Sequence, residues 1–547
     1  MQAPPFDLDG SGVTAMVYDT GRAASTSGIV HPDMSGRLTL MDSSPFSSHA
    51  AHVACTLGGS GSQSAGLRRG MAPAATLLSY GFESDGTGTF LYTNPGDLEV
   101  DYGDAMNAQD ADIANNSIGT NVCSNGFPCE ITGDYGVTSA LIDAVVRGSL
   151  GAPFLSVWAN GNERACAACP AEHVNGYHST APPAGAKNHI TVGAVNSNDD
   201  SMTAFSSWGP TDDGRLKPDV VAPGCQTDAD LGVTSCNTAI GVFGYTVLCG
   251  TSMAAPTVTG LASLLLQDFR LQFPGQPTFR NSTLKVLLAH NAVDIGNPGP
   301  DYQSGYGSVR IQPTIDFMRT GAFLEDEIDH GATFSIVVPV DPGDLQFKAT
   351  LAWDDAPGTP NVATALVNDL DLRVVDPTGT PHFPWTLDPA NPAAPAVRTQ
   401  PDSVNNIEQV VIDNPPAGNY QIEVVGTNVP LSPQSFSLAA SGIVVFLGGQ
   451  ISLSPAAVTA PFGGQTTLDA SVLTGRPPFD PIPEATVTFD VFAGPNAGQG
   501  GTSTTDLSGI ASFAYSDSGG LGSDQVRASF TDAAGVHVSS PAVVDWV

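Results

Sequence analysis

The segment Gly250-Thr251-Ser252-Met253-Ala254-Ala255-Pro256 constrains the fold of this chain more than any other stretch of the sequence. Its small residues form a turn that delivers Ser252 to the start of an apolar helix, which we predict over residues 252–273. There the hydroxyl lies beside free backbone N–H groups and the positive end of the helix dipole, which stabilise a developing oxyanion. The alternative interpretation is a capped helix start, because Ser and Thr are common N-cap residues.

Two earlier segments carry side chains that suit a serine nucleophile. The apolar run 13–18 predicts a buried strand that delivers Asp19 at its carboxyl end, where open α/β sheets place their chemistry. In Ser48-His49-Ala50-Ala51-His52-Val53-Ala54, a helix beginning near His49 presents that imidazole at its N-terminal end. We interpret His52, one turn later, as a structural hydrogen-bonding residue.

With these motifs in the order Asp, His, Ser, the chain resembles the subtilase family over about residues 10–315. The resemblance implies an α/β catalytic domain with a mostly parallel sheet flanked by helices. It also implies a serine endopeptidase that acts on polypeptides through an acyl-enzyme intermediate. In that mechanism Ser252 is the nucleophile, His49 is the base that later protonates the leaving amine, and Asp19 fixes the imidazole tautomer.

Further resemblances imply an oxyanion donor and a substrate cleft. The stretch 154–163 is similar to the family's A-A-G-N-E segment, which gives Asn162 the oxyanion role and leaves Asn160 as the competing choice. Backbone pairing at such a cleft reads the shape of an extended peptide, so we expect broad specificity. Glu163 at the pocket rim modestly favours basic side chains, unless Arg164 beside it cancels that effect. The two walls of the pocket that the resemblance implies are Ser117, Ile118 and Gly119 on one side and Ala159, Asn160 and Gly161 on the other.

The sequence departs from the family's pattern near its amino terminus. Ala50 and Ala51 replace the Gly-Thr that follows the family's histidine, and Cys55 stands where a glycine is usual. Only 18 residues precede Asp19, and they carry neither a signal segment nor a propeptide, so the chain resembles a mature, trimmed or truncated form. These departures motivate an alternative function, a catalytically dead or truncated protease scaffold that acts as a surface or adhesion protein.

The amino-acid composition limits the classes of molecule that this protein can bind and indicates its cellular location. The formal net charge is −35, from 19 basic and 54 acidic side chains, which argues against binding nucleic acid or anionic lipid. The sequence contains no apolar run of membrane-spanning length. We therefore expect a secreted, extracellular protein that is monomeric, acts on polypeptides and needs no organic cofactor.

Eight cysteines, all between residues 55 and 249, predict disulfides and hence an oxidising compartment. Cys123 and Cys129 bracket a short loop and are expected to pair with each other. Cys166 and Cys169 form a C-x-x-C, which also suits half of a zinc site, although no second half is found at metal spacing. Of the remaining four, we favour a bond between Cys225 and Cys249 and leave the other connectivities open.

Beyond about residue 322, short period-two strands separated by turn residues predict antiparallel sandwiches. The segments 353–357 and 366–372 resemble a jelly-roll domain that follows the catalytic domain of certain subtilases. From about residue 449, segments such as 485–489 and 511–515 resemble bacterial immunoglobulin-like domains of the invasin type. We thus expect a multidomain chain divided into residues 1–320, 321–446 and 447–547.

Carboxylates in the second predicted domain suggest a structural calcium site, because calcium is bound by clustered oxygen ligands. Alternatively, they are turn and strand-edge residues with no ion. The candidate ligands are Asp355, Asp369, Asp371 and Glu408.

Overall fold

A computed structural model describes residues 1–238, 244–441, 450–473, 481–532 and 535–547 of the chain. The chain divides into two compact units, Met1–Ile443 and Val444–Val547. The predicted boundary between residues 446 and 447 falls outside the described ranges, and the division at residue 320 lies inside the first unit, so the three-domain scheme stays a prediction. No helix in the described ranges has both the length and the hydropathy needed to span a lipid bilayer.

The first unit is built on a seven-stranded sheet, in which every strand is parallel to its neighbours and the order is β2-β3-β1-β4-β5-β6-β7. Parallel strands are buried on both faces, which explains their apolar sequences. This agrees with the predicted fold of the catalytic domain. The strands are β1 (Thr14–Asp19), β2 (Leu38–Leu40), β3 (Thr76–Gly81), β4 (Ile113–Asn116), β5 (Leu155–Ala159), β6 (Ile190–Asn196) and β7 (Val220–Cys225).

Helices cover both faces of this sheet. Side chains alternate along β1, so that Val17 packs in the core layer beneath α1 and α5, whereas Tyr18 packs with α2 and α4 on the opposite face. The predicted helix over residues 252–273 is α5, which contacts four of the seven strands and α1. The helices are α1 (Ser48–Gly58), α2 (Leu98–Asn107), α3 (Val122–Asn125), α4 (Val137–Val146), α5 (Thr251–Gln272), α6 (Asn281–Asn291) and α7 (Ile311–Arg319).

All eight cysteines form disulfides, and one expected pairing is wrong. Instead of bonding to each other, Cys123 and Cys129 bond to Cys166 and Cys169, respectively. The loop that follows β4 runs beside the loop that follows β5, and the two bonds join these loops rather than closing the first on itself. Both cysteines of the C-x-x-C are therefore disulfide-bonded and, in this state, are not available as zinc ligands.

The favoured bond between Cys225 and Cys249 is present and spans the hairpin of β8 (Val233–Asn237) and β9 (Gly244–Leu248). The fourth bond joins Cys55 on α1 to Cys236 on β8. This hairpin thus lies between the helix that carries His49 and the segment that leads to Ser252.

The rest of the first unit is a sandwich of two four-stranded antiparallel sheets, β10-β17-β12-β15 and β11-β16-β13-β14. Aromatic pairs join the two sheets, as in the stacked rings of Phe347 and Tyr420. The predicted strands of this region are confirmed. They are β10 (Phe323–Ile328), β11 (Thr333–Val340), β12 (Gln346–Trp353), β13 (Asp369–Val375), β14 (Pro381–His382), β15 (Ile407–Asp413), β16 (Gly418–Asn428) and β17 (Gln434–Ala440).

The second unit is all β. One sheet has the order β18-β20-β23, and the other has the order β19-β26-β24-β21-β22 with β25 paired to β24. Its core includes stacked Phe489 and Phe513 and a buried Trp546, whose indole donates to Asp524 at 2.6 Å. The strands are β18 (Gln450–Ser454), β19 (Ala457–Ala460), β20 (Gln465–Leu473), β21 (Thr486–Ala493), β22 (Gly500–Thr504), β23 (Ile510–Ser516), β24 (Gly522–Asp532), β25 (Gly535–Val538) and β26 (Ala542–Trp546).

A buried lysine joins the parallel sheet region to the sandwich. Lys187 Nζ lies 3.4 Å from Asp143 and 3.2 Å from Asp355, and all three side chains are fully buried. The same ammonium donates to the carbonyl oxygens of Ala356 and Ala365 at 2.7 and 2.8 Å. Buried charges need such complete pairing, because each loses its hydration.

We expect Lys187→Met to destabilise the protein by about 3–5 kcal/mol, because it leaves two buried carboxylates without their cation. The matched control is Lys348→Met, since Lys348 forms no salt bridge among the described residues and donates to the His290 carbonyl oxygen at 3.0 Å. That control should cost only about 1 kcal/mol. Denaturant unfolding of both variants checks this, and equal losses would contradict it.

Candidate active site

The predicted catalytic residues converge on the carboxyl edge of the parallel sheet. Asp19 is the last residue of β1, Ser117 follows β4, and Asn160 and Asn162 follow β5. Open α/β sheets bind their ligands at this edge. Ser252 reaches it from the N-terminus of α5.

Asp19 and His49 form a direct contact. The Asp19 side chain is fully buried, and both of its oxygens lie 2.9 Å from His49 Nδ1. Burial of the imidazole opposes its protonation, but the charge of Asp19 and the hydrogen bond to it outweigh burial and raise the pKa of His49. The His49 side chain remains 36 % exposed, and with Nδ1 held by Asp19 its Nε2 is the nitrogen left to accept a proton.

Local capping fixes where His49 emerges. Ser47 is the N-cap of α1 and accepts a hydrogen bond from Ala50 N at 3.2 Å, which begins the helix one residue before His49. His52, on the next turn, is fully buried and lies 3.0 Å from the Val233 carbonyl oxygen through Nε2. Burial lowers the pKa of His52 to about 4, so it is a neutral link between α1 and the β8–β9 hairpin, in agreement with its predicted structural role.

Ser252 lies in the first turn of α5 and is partly exposed. Pro256, one turn later, has no N–H to donate to the Ser252 carbonyl oxygen. Ser117 supplies the missing donor, since its hydroxyl donates to that oxygen at 2.9 Å. The Ser252 hydroxyl in turn lies 3.5 Å from the Ser117 carbonyl oxygen. The serine is thus tied to the segment that follows β4.

The two candidate oxyanion asparagines differ in their surroundings. Asn160 is fully buried, and its amide nitrogen donates to the Ser207 carbonyl oxygen at 2.7 Å. This amide is therefore not available to a ligand. Asn162 is exposed, and its side-chain oxygen accepts from Thr251 N at 2.9 Å and from Thr251 Oγ1 at 3.2 Å. With its oxygen held beside the serine, the Asn162 amide keeps its Nδ2 donor for a ligand.

The two segments that are expected to line the substrate pocket lie on either side of Ala181. Ser117 and Ile118 are buried, whereas Gly119 is partly exposed, and Ala159 and Gly161 lie on the opposite wall. The N–H of Ala181 donates to the Asn160 carbonyl oxygen at 3.1 Å. A Cβ at Gly161 would lie only 2.7 Å from the Ala181 Cβ, so only glycine fits that wall. The role of Ala181 was not predicted from the sequence, because no motif includes this residue.

Glu163 does not lie at the pocket rim, and the expectation that it does is wrong. Its side chain is only 2 % exposed, and its Oε2 accepts from Cys123 N at 2.7 Å. Burial raises the pKa of Glu163, which the hydrogen bond from Cys123 partly offsets. Together with the two disulfides, Glu163 joins the loop after β5 to the loop after β4. Arg164 turns away, and its guanidinium stacks 4.0 Å from the ring of Trp208.

The four suggested calcium ligands are divided between two environments. Asp355 is bound to Lys187 and accepts from the backbone N–H groups of residues 367 and 368. Burial, followed by the charges of Asp371, Asp402 and Asp355, raises the pKa of Asp369 to about 7. Burial, followed by the charge of the buried Asp402, also raises the pKa of Glu408. One buried oxygen of Asp369 and one of Glu408 have no hydrogen-bond partner among the described residues.

The arrangement can support acyl transfer. It combines a hydroxyl at a helix N-terminus, an imidazole oriented by a buried carboxylate, and a side-chain amide donor beside the hydroxyl. With the all-parallel sheet, these positions define a subtilisin-like α/β domain.

The chain belongs to the subtilase family. The model of that family, described as "Subtilase family", matches residues 10–307, which is more than half of the chain. This range contains every predicted catalytic and substrate-binding residue.

The chain is also similar to individual proteins. The chain is similar to serine protease AprX of Bacillus subtilis (strain 168), with 30 % identity over 334 residues, 56 % of this chain and 67 % of that protein. It is also similar to the serine protease/ABC transporter B family protein tagB of Dictyostelium discoideum, with 28 % identity over 45 % of this chain and only 16 % of that protein. A solved structure of fervidolysin from Fervidobacterium pennivorans shares 16 % identity over 96 % of this chain and 69 % of its own, with a TM-score of 0.40.

Proposed function

We propose that this chain is a secreted serine endopeptidase that hydrolyses peptide bonds through an acyl-enzyme intermediate. The observation that supports this most directly is the contact between the buried carboxylate of Asp19 and Nδ1 of His49, at the sheet edge where Ser252 begins α5. Such a contact holds the imidazole in the tautomer whose Nε2 can accept a proton.

In this mechanism His49 removes the proton of the Ser252 hydroxyl as it attacks the scissile carbonyl carbon. The imidazolium that forms is stabilised by Asp19 and then gives its proton to the leaving amine. The oxyanion receives hydrogen bonds from Asn162 Nδ2 and from the N–H of Ser252. Water repeats the sequence with the acyl-enzyme and regenerates the hydroxyl.

The pocket favours broad specificity for polypeptide substrates. Its floor at Ala181 and its walls at Gly119 and Gly161 have small or absent side chains, and its polar groups belong mainly to the backbone. An extended peptide can therefore pair with residues 117–119 irrespective of its sequence.

The four disulfides support an extracellular location, since such bonds persist in oxidising compartments. We assign the β10–β17 sandwich to the jelly-roll type and the second unit to the immunoglobulin-like type, on the basis of their antiparallel sheets and their sequence resemblances. A monomer acting on polypeptides remains our expectation.

A structural calcium ion is a second part of the proposal. Asp355 does not suit the role, because Lys187 already neutralises it. Asp369, Asp371 and Glu408 remain the candidate ligands, with Asp402 as a fourth carboxylate, because one buried oxygen of Asp369 and one of Glu408 lack partners among the described residues. A hard cation prefers such a set of oxygens, and it would hold the start of β13 against β15.

A fluorophosphonate probe tests the central proposal. We expect it to label the wild-type protein and to leave Ser252→Ala unlabelled, because only an activated serine reacts. The matched control is Ser263→Ala, three turns later on α5, whose hydroxyl donates to the Thr259 carbonyl oxygen and whose loss should leave labelling intact. A folded wild-type protein that does not react would instead favour the binding-scaffold alternative.

Substituting Asn162 should mainly affect catalysis, whereas substituting Asn160 should mainly affect stability. Asn162→Ala is expected to lower kcat about 10²–10³-fold with little change in KM or stability, because removing one oxyanion donor acts in the transition state. Asn160→Ala removes a buried hydrogen bond and should mainly lower the free energy of unfolding, by about 1–3 kcal/mol. Peptide hydrolysis and denaturant unfolding of both variants measure this, and a larger kcat loss in Asn160→Ala would reverse the assignment.

Chelation tests the calcium site by its effect on stability. A ligand present at 100 times its Kd stabilises a folded protein by about 2.7 kcal/mol, so EGTA should lower the Tm of the wild-type protein. Glu408→Gln should have a Tm that no longer responds to EGTA or to added calcium. Asp355→Asn serves as the comparison, because it breaks the ion pair with Lys187 and should remain calcium-responsive. A wild-type Tm that is indifferent to EGTA would rule the site out.

A further inference from the structure

The four cysteines in the loops after β4 and β5 lie together, and we call them the cysteine cluster: Cys123, Cys129, Cys166 and Cys169. In this structure they form the disulfides Cys123–Cys166 and Cys129–Cys169. The sulfur atoms of Cys166 and Cys169 are not bonded to each other, yet they lie only 3.6 Å apart. The two disulfides are therefore adjacent, and all four sulfur atoms occupy one small region between the loops.

The spacing of these sulfur atoms matches that of a tetrahedral zinc site. Zinc binds four thiolates at about 2.3 Å, which places neighbouring sulfur atoms about 3.8 Å apart. The Cys166 and Cys169 sulfur atoms already have nearly this separation. Within each disulfide the two Cα atoms are 5.6 Å apart. Once the bonds are cleaved, rotation of the side chains can therefore separate the sulfur atoms to the distance that zinc needs.

The two halves of the cluster come from different loops. Cys166 and Cys169 form the C-x-x-C that the sequence shows as half of a zinc site, and Cys169 N donates to the Cys166 carbonyl oxygen at 3.3 Å, which closes a tight turn. The fold supplies the other half, because Cys123 and Cys129 lie 43 and 40 residues before their disulfide partners. Structural zinc sites with four cysteine ligands combine two such pairs.

The polar groups around the cluster support it rather than compete for a metal. His173 has a ring nitrogen within 4.8 Å of two of the sulfur atoms. Both of its ring nitrogens are already engaged, Nδ1 with the Glu163 carbonyl oxygen at 3.1 Å and Nε2 with the Thr132 hydroxyl at 3.0 Å. Glu163 Oε2 accepts from Cys123 N at 2.7 Å. The four sulfur atoms are therefore the ligand set, and these hydrogen bonds hold the loops that carry them.

We propose that the cysteine cluster is a zinc site in the reduced protein, where one Zn²⁺ takes the place of the two disulfides. This inference does not depend on the peptidase function. Reduction is balanced by a phosphine: two phosphine and two water molecules convert the two S–S bonds into four thiols and two phosphine oxides. Zinc then binds four thiolates and releases their four protons. Cys123 is exposed, so the reductant and the ion can reach the cluster.

Zinc in this site preserves the connection that the disulfides make. Each disulfide joins the loop after β4 to the loop after β5, and these loops follow the two segments expected to line the substrate pocket. An ion bound by cysteines from both loops joins them in the same way. The loops thus stay joined whether the cysteines are oxidised or reduced and metal-bound.

Cobalt binding tests the proposal, because Co²⁺ in a thiolate site has absorption bands that report its ligands and Zn²⁺ has none. The full chain is reduced with tris(2-carboxyethyl)phosphine, separated from the reductant without air, and titrated with Co²⁺. We expect one Co²⁺ per chain, with the thiolate-to-cobalt and visible bands of a tetrahedral site with four sulfur ligands. Zn²⁺ should displace the Co²⁺ and remove the bands.

Variants of either half of the cluster should lose this binding. Cys166→Ser with Cys169→Ser removes the C-x-x-C half, and Cys123→Ser with Cys129→Ser removes the half on the other loop. Neither variant should show the bands of the site with four sulfur ligands. Because an ion that binds the folded state stabilises it, Zn²⁺ should raise the Tm of the reduced wild type but not that of either variant.

The matched control removes a disulfide outside the cluster. Cys225→Ser with Cys249→Ser should bind Co²⁺ after reduction and respond to Zn²⁺ as the wild type does. His31, Cys55 and Cys236 are a second group whose ligand atoms lie within 4.8 Å of one another. Co²⁺ bands that disappear in Cys55→Ser with Cys236→Ser, and persist in both cluster variants, would place the metal there and overturn the proposal.

Two further results would also overturn it. One is a reduced wild type that remains folded, by circular dichroism, and binds no Co²⁺. The other is a reduced wild type that unfolds to the same extent with and without Zn²⁺, because the proposed site should hold the two loops together when metal is present. None of these measurements uses peptide hydrolysis, so their outcome is independent of the fluorophosphonate result.

Discussion

The complete burial of Asp19 is the constraint on which the active site depends. A carboxylate at the end of a buried parallel strand is tolerated only if its oxygens are paired. Thr20 N donates to Asp19 at 2.7 Å, and His49 Nδ1 completes the pairing. The cap at Ser47 therefore has to begin α1 close to the end of β1, because a shift of one residue would turn His49 away from its partner. The tautomer that catalysis needs is a consequence of satisfying a buried charge.

A second set of hydrogen bonds joins the nucleophile to the groups that act with it. Thr251, the residue before Ser252, accepts from Gly161 N at 3.2 Å and donates to Asn162, so hydrogen bonds join the loop after β5 to the start of α5. On the other side, Ser117 replaces the donor that Pro256 lacks. Thr251 and Pro256 stand on either side of Ser252 in the motif. Thr251 joins the start of α5 to the loop after β5, and the lack of an N–H at Pro256 allows Ser117, after β4, to bond to the Ser252 carbonyl oxygen.

Sequence patterns predicted those features whose cause is local. Apolar periodicity gave helix α5 to within one residue at each end, and the strand before Asp19 follows from a short β-prone run. The pairing of Cys123 and the burial of Glu163 were predicted wrongly, because both depend on how the loop after β4 lies against the loop after β5. Such contacts between segments about 40 residues apart leave no mark in composition or spacing. The ion pair of Asp355 could not be predicted for the same reason, since its partner Lys187 lies far away in the sequence.

Burial also determines where the charge of this protein is left uncompensated. Against 54 acidic side chains the chain has 19 basic ones, and several of these, including Lys187, Lys217, Lys285 and Arg215, are at most 2 % exposed and face buried carboxylates. Cations consumed in the interior are unavailable to carboxylates at the sheet edge. For most surface carboxylates water and salt ions suffice. A side chain as buried as Asp101 has access to neither, and burial raises its pKa to about 8, so it is mainly the neutral acid at neutral pH. Where the fold has no cation left for a buried acid, protonation of that acid removes the charge instead.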